Sequence, residues 1–105
     1  MKTVNTKGAK ELYETLLSLK TIDECKLFLR DLLTEPEIQE FSNRWQVVKM
    51  LDKKVPYETI TKETGTSSTT IARIQKWLNG TLGGYRFMLS RMNKKSKNSA
   101  HHTLS

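Results

Sequence analysis

A chain of 105 residues with 36% hydrophobic and 8% aromatic side chains has room for one domain with a modest core, not for two. Its single cysteine, Cys25, excludes an intramolecular disulfide framework and a paired-cysteine zinc site, and no run approaches the ~18 apolar residues that cross a membrane. The formal net charge of +7 is unevenly placed: all eleven Asp and Glu lie at or before Glu63, balanced there by Lys and Arg, whereas Arg73, Lys76, Arg86, Arg91, Lys94, Lys95 and Lys97 follow with no acid among them. That asymmetry fits a polyanionic partner, because each neutralised phosphate releases a condensed counterion. A membrane surface fits less well, since no long basic amphipathic helix with a bulky apolar face accompanies the charge.

The opening MKTVNTKGAKELY has no apolar signal region, so the protein is expected in the cytoplasm. Residues 1–7 are polar and expected to fray. From Lys7 to about Leu19, Leu12, Tyr13, Leu16 and Leu19 make a helical stripe. Thr21 with Glu24 forms a capping box before a helix carrying Cys25, Leu27, Phe28, Leu29, Leu32 and Leu33. That helix is apolar on more than one side, which predicts burial between layers or between subunits, with Cys25 as a small core residue. A second box, Thr34 with Glu37, and Pro36 in the first turn open a helix to about Lys53 that presents Ile38, Phe41, Trp45, Val48 and Leu51 along one side.

Val55-Pro56 ends that helix, and residues 56–78, PYETITKETGTSSTTIARIQKWL, follow. Tyr57, Ile60 and Thr64 are at helical spacing; Gly65 supplies a positive-φ stop; Thr66, Ser67 and Ser68 are candidate N-cap hydroxyls. Ile71, Ile74 and Leu78 then form an apolar stripe able to pack on the preceding helix. The opposite face is small and polar at its start and cationic further on, the layout of a helix-turn-helix reader of a DNA groove. Thr66, Ser67, Ser68, Thr69, Thr70 and Ala72 are the candidates for base edges or methyl groups, and Arg73 and Lys76 for phosphate or guanine.

Asn79-Gly80 and Gly83-Gly84 mark stops. Tyr85, Phe87, Met88, Leu89 and Met92 predict one last short helix in need of a docking surface, and residues 93–105 lack apolar periodicity and are expected to form a disordered basic tail. The chain therefore reads as all-α, about six helices, with one helix-turn-helix domain over residues 8–92. Elongated helices in so small a chain leave apolar faces bare, and dimerisation is a natural way to cover them.

The segment LTEPEIQEFSNRWQVVKMLDKKVPYETITKETGTSSTTIARIQKWLNGTLGGY resembles the tryptophan repressor (TrpR) superfamily, in particular its YerC/YecD-type branch. The resemblance spans about Leu12 to Met92 and rests on LTEPE with the Arg44-containing helix, the GTSSTTIAR turn and recognition helix, and the WLN and GGY segments. It implies an intertwined all-helical homodimer that presents two recognition helices to successive major grooves of double-stranded DNA. It also implies a pocket in which a threonine and two arginines hold tryptophan; Thr34, Arg44 and Arg73 stand at those positions. Ile74 and Trp77, however, replace smaller residues there, so free tryptophan is not expected to bind, and the two bulky side chains are expected to hold the reading head in place without it. No cofactor is implied, and any other small effector is left unidentified.

The alternative is an RNA-binding or adaptor module, with Trp77, Tyr85 and Phe87 stacking on unpaired bases, although such positions more often pack a core. An enzyme is not supported. His101 and His102 are the only histidines, both in the expected tail, and the carboxylates alternate with lysines along helix faces, so neither a catalytic nor a metal constellation can be drawn.

Overall fold

A computed structural model describes residues 3–80 and 82–104, with side chains as far as Lys95. The described residues form six α-helices and no strand: α1 (Lys7–Leu17), α2 (Ile22–Leu32), α3 (Glu35–Asp52), α4 (Tyr57–Thr64), α5 (Ser68–Leu78) and α6 (Gly84–Leu104). None of them is long and apolar enough to cross a membrane. The chain divides into two units, Met1–Ser42 and Asn43–Ser105, with the boundary inside α3.

In the first unit, local side-chain bonds fix the helix ends. Thr6 Oγ1 accepts the Ala9 N–H at 3.1 Å, and the Tyr13 hydroxyl donates to the Val4 carbonyl at 2.8 Å. The segment expected to fray is thus tied at two points. Thr21 Oγ1 accepts the Glu24 N–H at 3.1 Å, while Glu24 Oε1 accepts from Lys20, one residue ahead of the usual box partner, at 2.9 Å. What this unit lacks is an interior. None of its described residues is buried; Leu17 is 86% exposed, Ile22 77% and Leu27 74%, and Cys25 is half-buried rather than a core residue.

The Thr34–Glu37 box is complete. Thr34 Oγ1 accepts the Glu37 N–H at 3.3 Å, and both the Thr34 N–H and the Thr34 hydroxyl donate to Glu37 Oε1 at 2.9 Å. The backbone donor first, then the hydroxyl, holds the Glu37 carboxyl below its ordinary pKa. A carboxylate whose folded pKa is depressed contributes stability above its unfolded pKa and loses it as pH falls through the lowered value. Glu37→Gln is therefore expected to lower the urea midpoint slightly at neutral pH and to flatten its acid-side fall, so that the two proteins converge at low pH.

The second unit holds the core: Val47, Val48 and Leu51 of α3, Ile60 of α4, Ile71, Ile74 and Leu78 of α5, and Leu89 of α6, with Trp45, Met50, Val55 and Tyr85 packed against it. The α3 stripe differs from the expected one. Val47 is fully buried, one turn before Leu51, whereas Phe41 is 43% exposed. Two aromatic rings, Trp45 and Tyr85, meet with centroids 6.3 Å apart, a tilted contact that joins α3 to the start of α6. Arg86 reinforces the joint, donating to Asp52 at 3.3 Å and to the Asn79 side chain at 3.1 Å.

Helix α3 ends in a Schellman turn: the Lys54 N–H donates to the Leu51 carbonyl and the Val55 N–H to the Met50 carbonyl, both at 3.0 Å. Lys54 sits there with φ of 60°, a left-handed conformation that glycine adopts more cheaply. Removing about 1–2 kcal/mol of left-handed strain, against about 0.5–1 kcal/mol for glycine's extra freedom when unfolded, makes Lys54→Gly a net stabilisation of roughly 0.5 kcal/mol. A denaturant titration with unchanged slope checks it.

The last helix is longer than the short one expected: α6 is described from Gly84 past Met92 to Leu104. No glycine or proline interrupts residues 85–104, and a helix nucleated by docked Tyr85 and Leu89 propagates at little cost per residue.

Candidate nucleic-acid interface

The turn between α4 and α5 is built from short polar side chains. Pro56 precedes α4, where its missing N–H costs nothing, and its carbonyl accepts from Ile60 at 3.1 Å. Gly65 stops α4 in the left-handed region, φ 74°, with its N–H on the Thr61 carbonyl at 2.8 Å. Thr64 Oγ1 donates to the Ile60 carbonyl at 2.7 Å and accepts the Thr66 N–H at 3.2 Å. Of the three candidate caps it is Ser67 that closes α5, accepting the Thr70 N–H at 3.3 Å. The turn is thereby pinned from both helices, and α5 leaves it in one direction.

Burial splits α5 into two faces. Ile71 is fully buried, Leu78 2% exposed and Ile74 6% exposed, all within the core shared with Ile60. Ser68, Thr69, Ala72, Arg73 and Lys76 are exposed and fall together on the other side at 100° per residue. Ser67 is exposed as well, but its hydroxyl serves the cap. Thr66 and Thr70 are half-buried, with Thr66 working inside the turn and the Thr70 hydroxyl 3.1 Å from Ser67 Oγ. The exposed side chains of this face begin at the helix N-terminus with Ser68 and Thr69.

The residues of the tryptophan-pocket pattern do not share one fate. Thr34 belongs to the first unit, where its hydroxyl is engaged by Glu37. Arg44 and Arg73 are exposed side chains of the second unit. Ile74 is core packing, as the bulky-residue argument expects, but Trp77 is not: it is 46% exposed on the flank of α5, beside the Arg73 side of the helix. A ring of that size at the edge between the core stripe and the polar face has no facing apolar wall in the second unit's core cluster. Phe87 likewise departs from the expected core position at 56% exposed, while Tyr85 does pack.

Sequence reasoning missed Arg86 as a structural cation, because its partner Asp52 is 34 residues away. It also missed the close approach at Gly80, where an added Cβ would lie 3.1 Å from the Trp77 carbonyl oxygen, so a side chain there would press the exit from α5 by a few tenths of an ångström. His101 and His102 lie where side chains fall outside the described residues.

The family model for the Trp repressor protein matches residues 7–93. The uncharacterized protein YerC of Bacillus subtilis (strain 168) is 38% identical over 86 residues, which cover 82% of this chain and 83% of that one. The crystal structure of a TrpR like protein from Eubacterium eligens ATCC 27750 is similar with a TM-score of 0.80 at 37% identity, covering 84% of this chain and 91% of the other. A second crystal structure, from Staphylococcus aureus, also gives 0.80, at 38% identity over 85% of this chain and 89% of that chain. With its α4–Gly65–α5 reading head, the chain belongs to the Trp repressor family of helix-turn-helix DNA-binding regulators, as a YerC-type member.

Proposed function

We propose that this protein is a sequence-specific transcriptional regulator, a repressor that occupies its operator as a homodimer and does so without tryptophan. The observation that carries this reading is the split of α5: a polar and cationic face, Ser68, Thr69, Ala72, Arg73 and Lys76, exposed on a helix whose other side is locked into the core. Small side chains at the helix start allow close approach to base edges, and the two cations serve phosphate or guanine.

The first unit supports the homodimer. Seven large apolar side chains there, Val4, Tyr13, Leu16, Leu17, Ile22, Leu27 and Leu32, are between 39% and 86% exposed, in a unit none of whose described residues is buried. A second copy of the same surface covers them by two-fold symmetry. Leu27→Glu, at a side chain 74% exposed in one chain, then costs roughly 1.5–3 kcal/mol per copy in the dimer and nearly nothing in a monomer. Sedimentation equilibrium is expected to show a dimer for the native protein and dissociation for the variant.

Tryptophan independence rests on Ile74, whose side chain occupies core volume beside α5, and on Trp77, which adds a large ring next to Arg73. The half-exposed Trp77 and Phe87 are the observation that favours the second reading, RNA binding by stacking on unpaired bases. Competition of duplex DNA against single-stranded RNA at fixed salt, with and without added tryptophan, separates these readings. Preference for duplex, unmoved by tryptophan, supports the first; preference for RNA, or a large gain on adding tryptophan, contradicts it.

A further inference from the structure

The second basic surface of this chain is on α6. At 100° per residue, Phe87 and Arg91 lie opposite the buried Leu89, with Lys94 and Lys95 on either side of them. All four are exposed. The Arg91 guanidinium stands 4.6 Å from the centroid of the Phe87 ring, a stacking contact that uses the face of the group and none of its in-plane N–H donors. No acid occurs after Glu63, and the carboxylate beside α6, Asp52, is held by Arg86. These cations therefore have no carboxylate on their own helix. The family match stops at residue 93, whereas α6 continues to Leu104 through Lys94, Lys95 and Lys97, so much of this charge lies at or beyond the edge of what the family model describes.

We propose that Arg91, Lys94 and Lys95 grip the phosphate backbone of the same DNA duplex that α5 reads, as a second, sequence-blind contact. The proposal rests on the DNA-binding reading of α5. Charge complementarity selects the occupant: a guanidinium and two ammonium groups on one helix face match a row of phosphates. A lipid surface matches less well, because the apolar residues Phe87, Met88 and Met92 are followed by NKKSKNSAHHTL, which does not carry an apolar face along the rest of the helix.

The test compares the native protein with the Arg91→Gln, Lys94→Gln, Lys95→Gln triple variant, using a random-sequence duplex and the best duplex recovered by selection, with affinity measured across salt concentrations. Each lost phosphate contact lowers the slope of log affinity against log salt by about 0.9, so two or three contacts reduce the loss of affinity between 50 and 200 mM salt by roughly 10- to 40-fold. The preference for the selected duplex over the random one is expected to stay unchanged, and so is the helical circular dichroism, since the three side chains are exposed. An unchanged salt slope in the triple variant, with the native protein binding duplex normally, overturns the α6 contact alone. Failure of the native protein to bind any duplex overturns the reading of α5 and this proposal with it. Vesicles of phosphatidylserine and phosphatidylcholine form the last arm: charge-dependent binding to them with an unchanged DNA slope assigns the face to lipid and overturns the proposal.

Discussion

Replacing Arg73 and Lys76 together with alanine is expected to lower the salt slope of duplex binding by about two and to weaken binding at every salt concentration. Both side chains are exposed, on the face of α5 opposite Ile71 and Leu78, so their loss leaves the core untouched and the melting curve within about 0.5 kcal/mol of native. If either cation reads a guanine through a paired contact, truncation also removes about 1–3 kcal/mol of discrimination at that base pair. Measured against selected and random duplexes, the two roles part: a phosphate contact lowers both affinities equally, and a base contact lowers their ratio.

Ile71→Ala is expected to fail in the opposite manner. The side chain is fully buried in the cluster shared with Ile60, Val47, Val48 and Leu78, and truncating it removes about 2–5 kcal/mol, the transfer energy of the lost carbons plus the cavity they leave. For a small domain whose whole stability is about 5–15 kcal/mol, that populates unfolded chain near physiological temperature. DNA binding falls because fewer molecules are folded, so the apparent affinity drops while the salt slope of the folded fraction keeps its native value. Denaturant midpoint and salt slope together therefore distinguish damage to the scaffold from damage to the reading face.

Local signals carried most of the helix boundaries. Thr34 with Glu37, and Gly65, act within one helical turn and make the bonds their spacing implies, while Thr21 with Glu24 makes half of its box, the Glu24 carboxylate taking the Lys20 N–H instead. Ile71, Ile74 and Leu78 are also legible, because a helix repeats every 3.6 residues whatever it packs on. What was not legible depends on distant neighbours. Val47 rather than Phe41 enters the core because of what α4, α5 and α6 bring to the end of α3, and Arg86 finds Asp52 only after the chain has turned back. Lys54 gave no warning of its left-handed backbone, since a Lys-Lys-Val-Pro stretch carries no glycine. The hydroxyl-rich turn carries a second duty that a string of letters does not show: the Thr66 N–H donates to Thr64 Oγ1 and Ser67 Oγ accepts the Thr70 N–H, so both residues also hold the turn together.

Trp77 marks where sequence pattern and geometry part most. Volume arguments assign it to packing, but its ring is nearly half exposed beside the cationic side of α5, and only Ile74 fills the core. Burying it needs a surface from beyond the second unit's own core cluster. The exposed apolar side chains of the first unit point to the same requirement, and a two-fold dimer supplies such surfaces in pairs.

Selection of binding sites from a pool of random duplexes by the purified native protein tests the central claim most directly. A homodimer with one reading head per copy is expected to enrich a pseudo-palindrome whose half-sites are about one helical turn apart or a multiple of it, with the strongest preferences facing the first turns of α5. Recovery of no enriched sequence, or of a single asymmetric half-site, would contradict it.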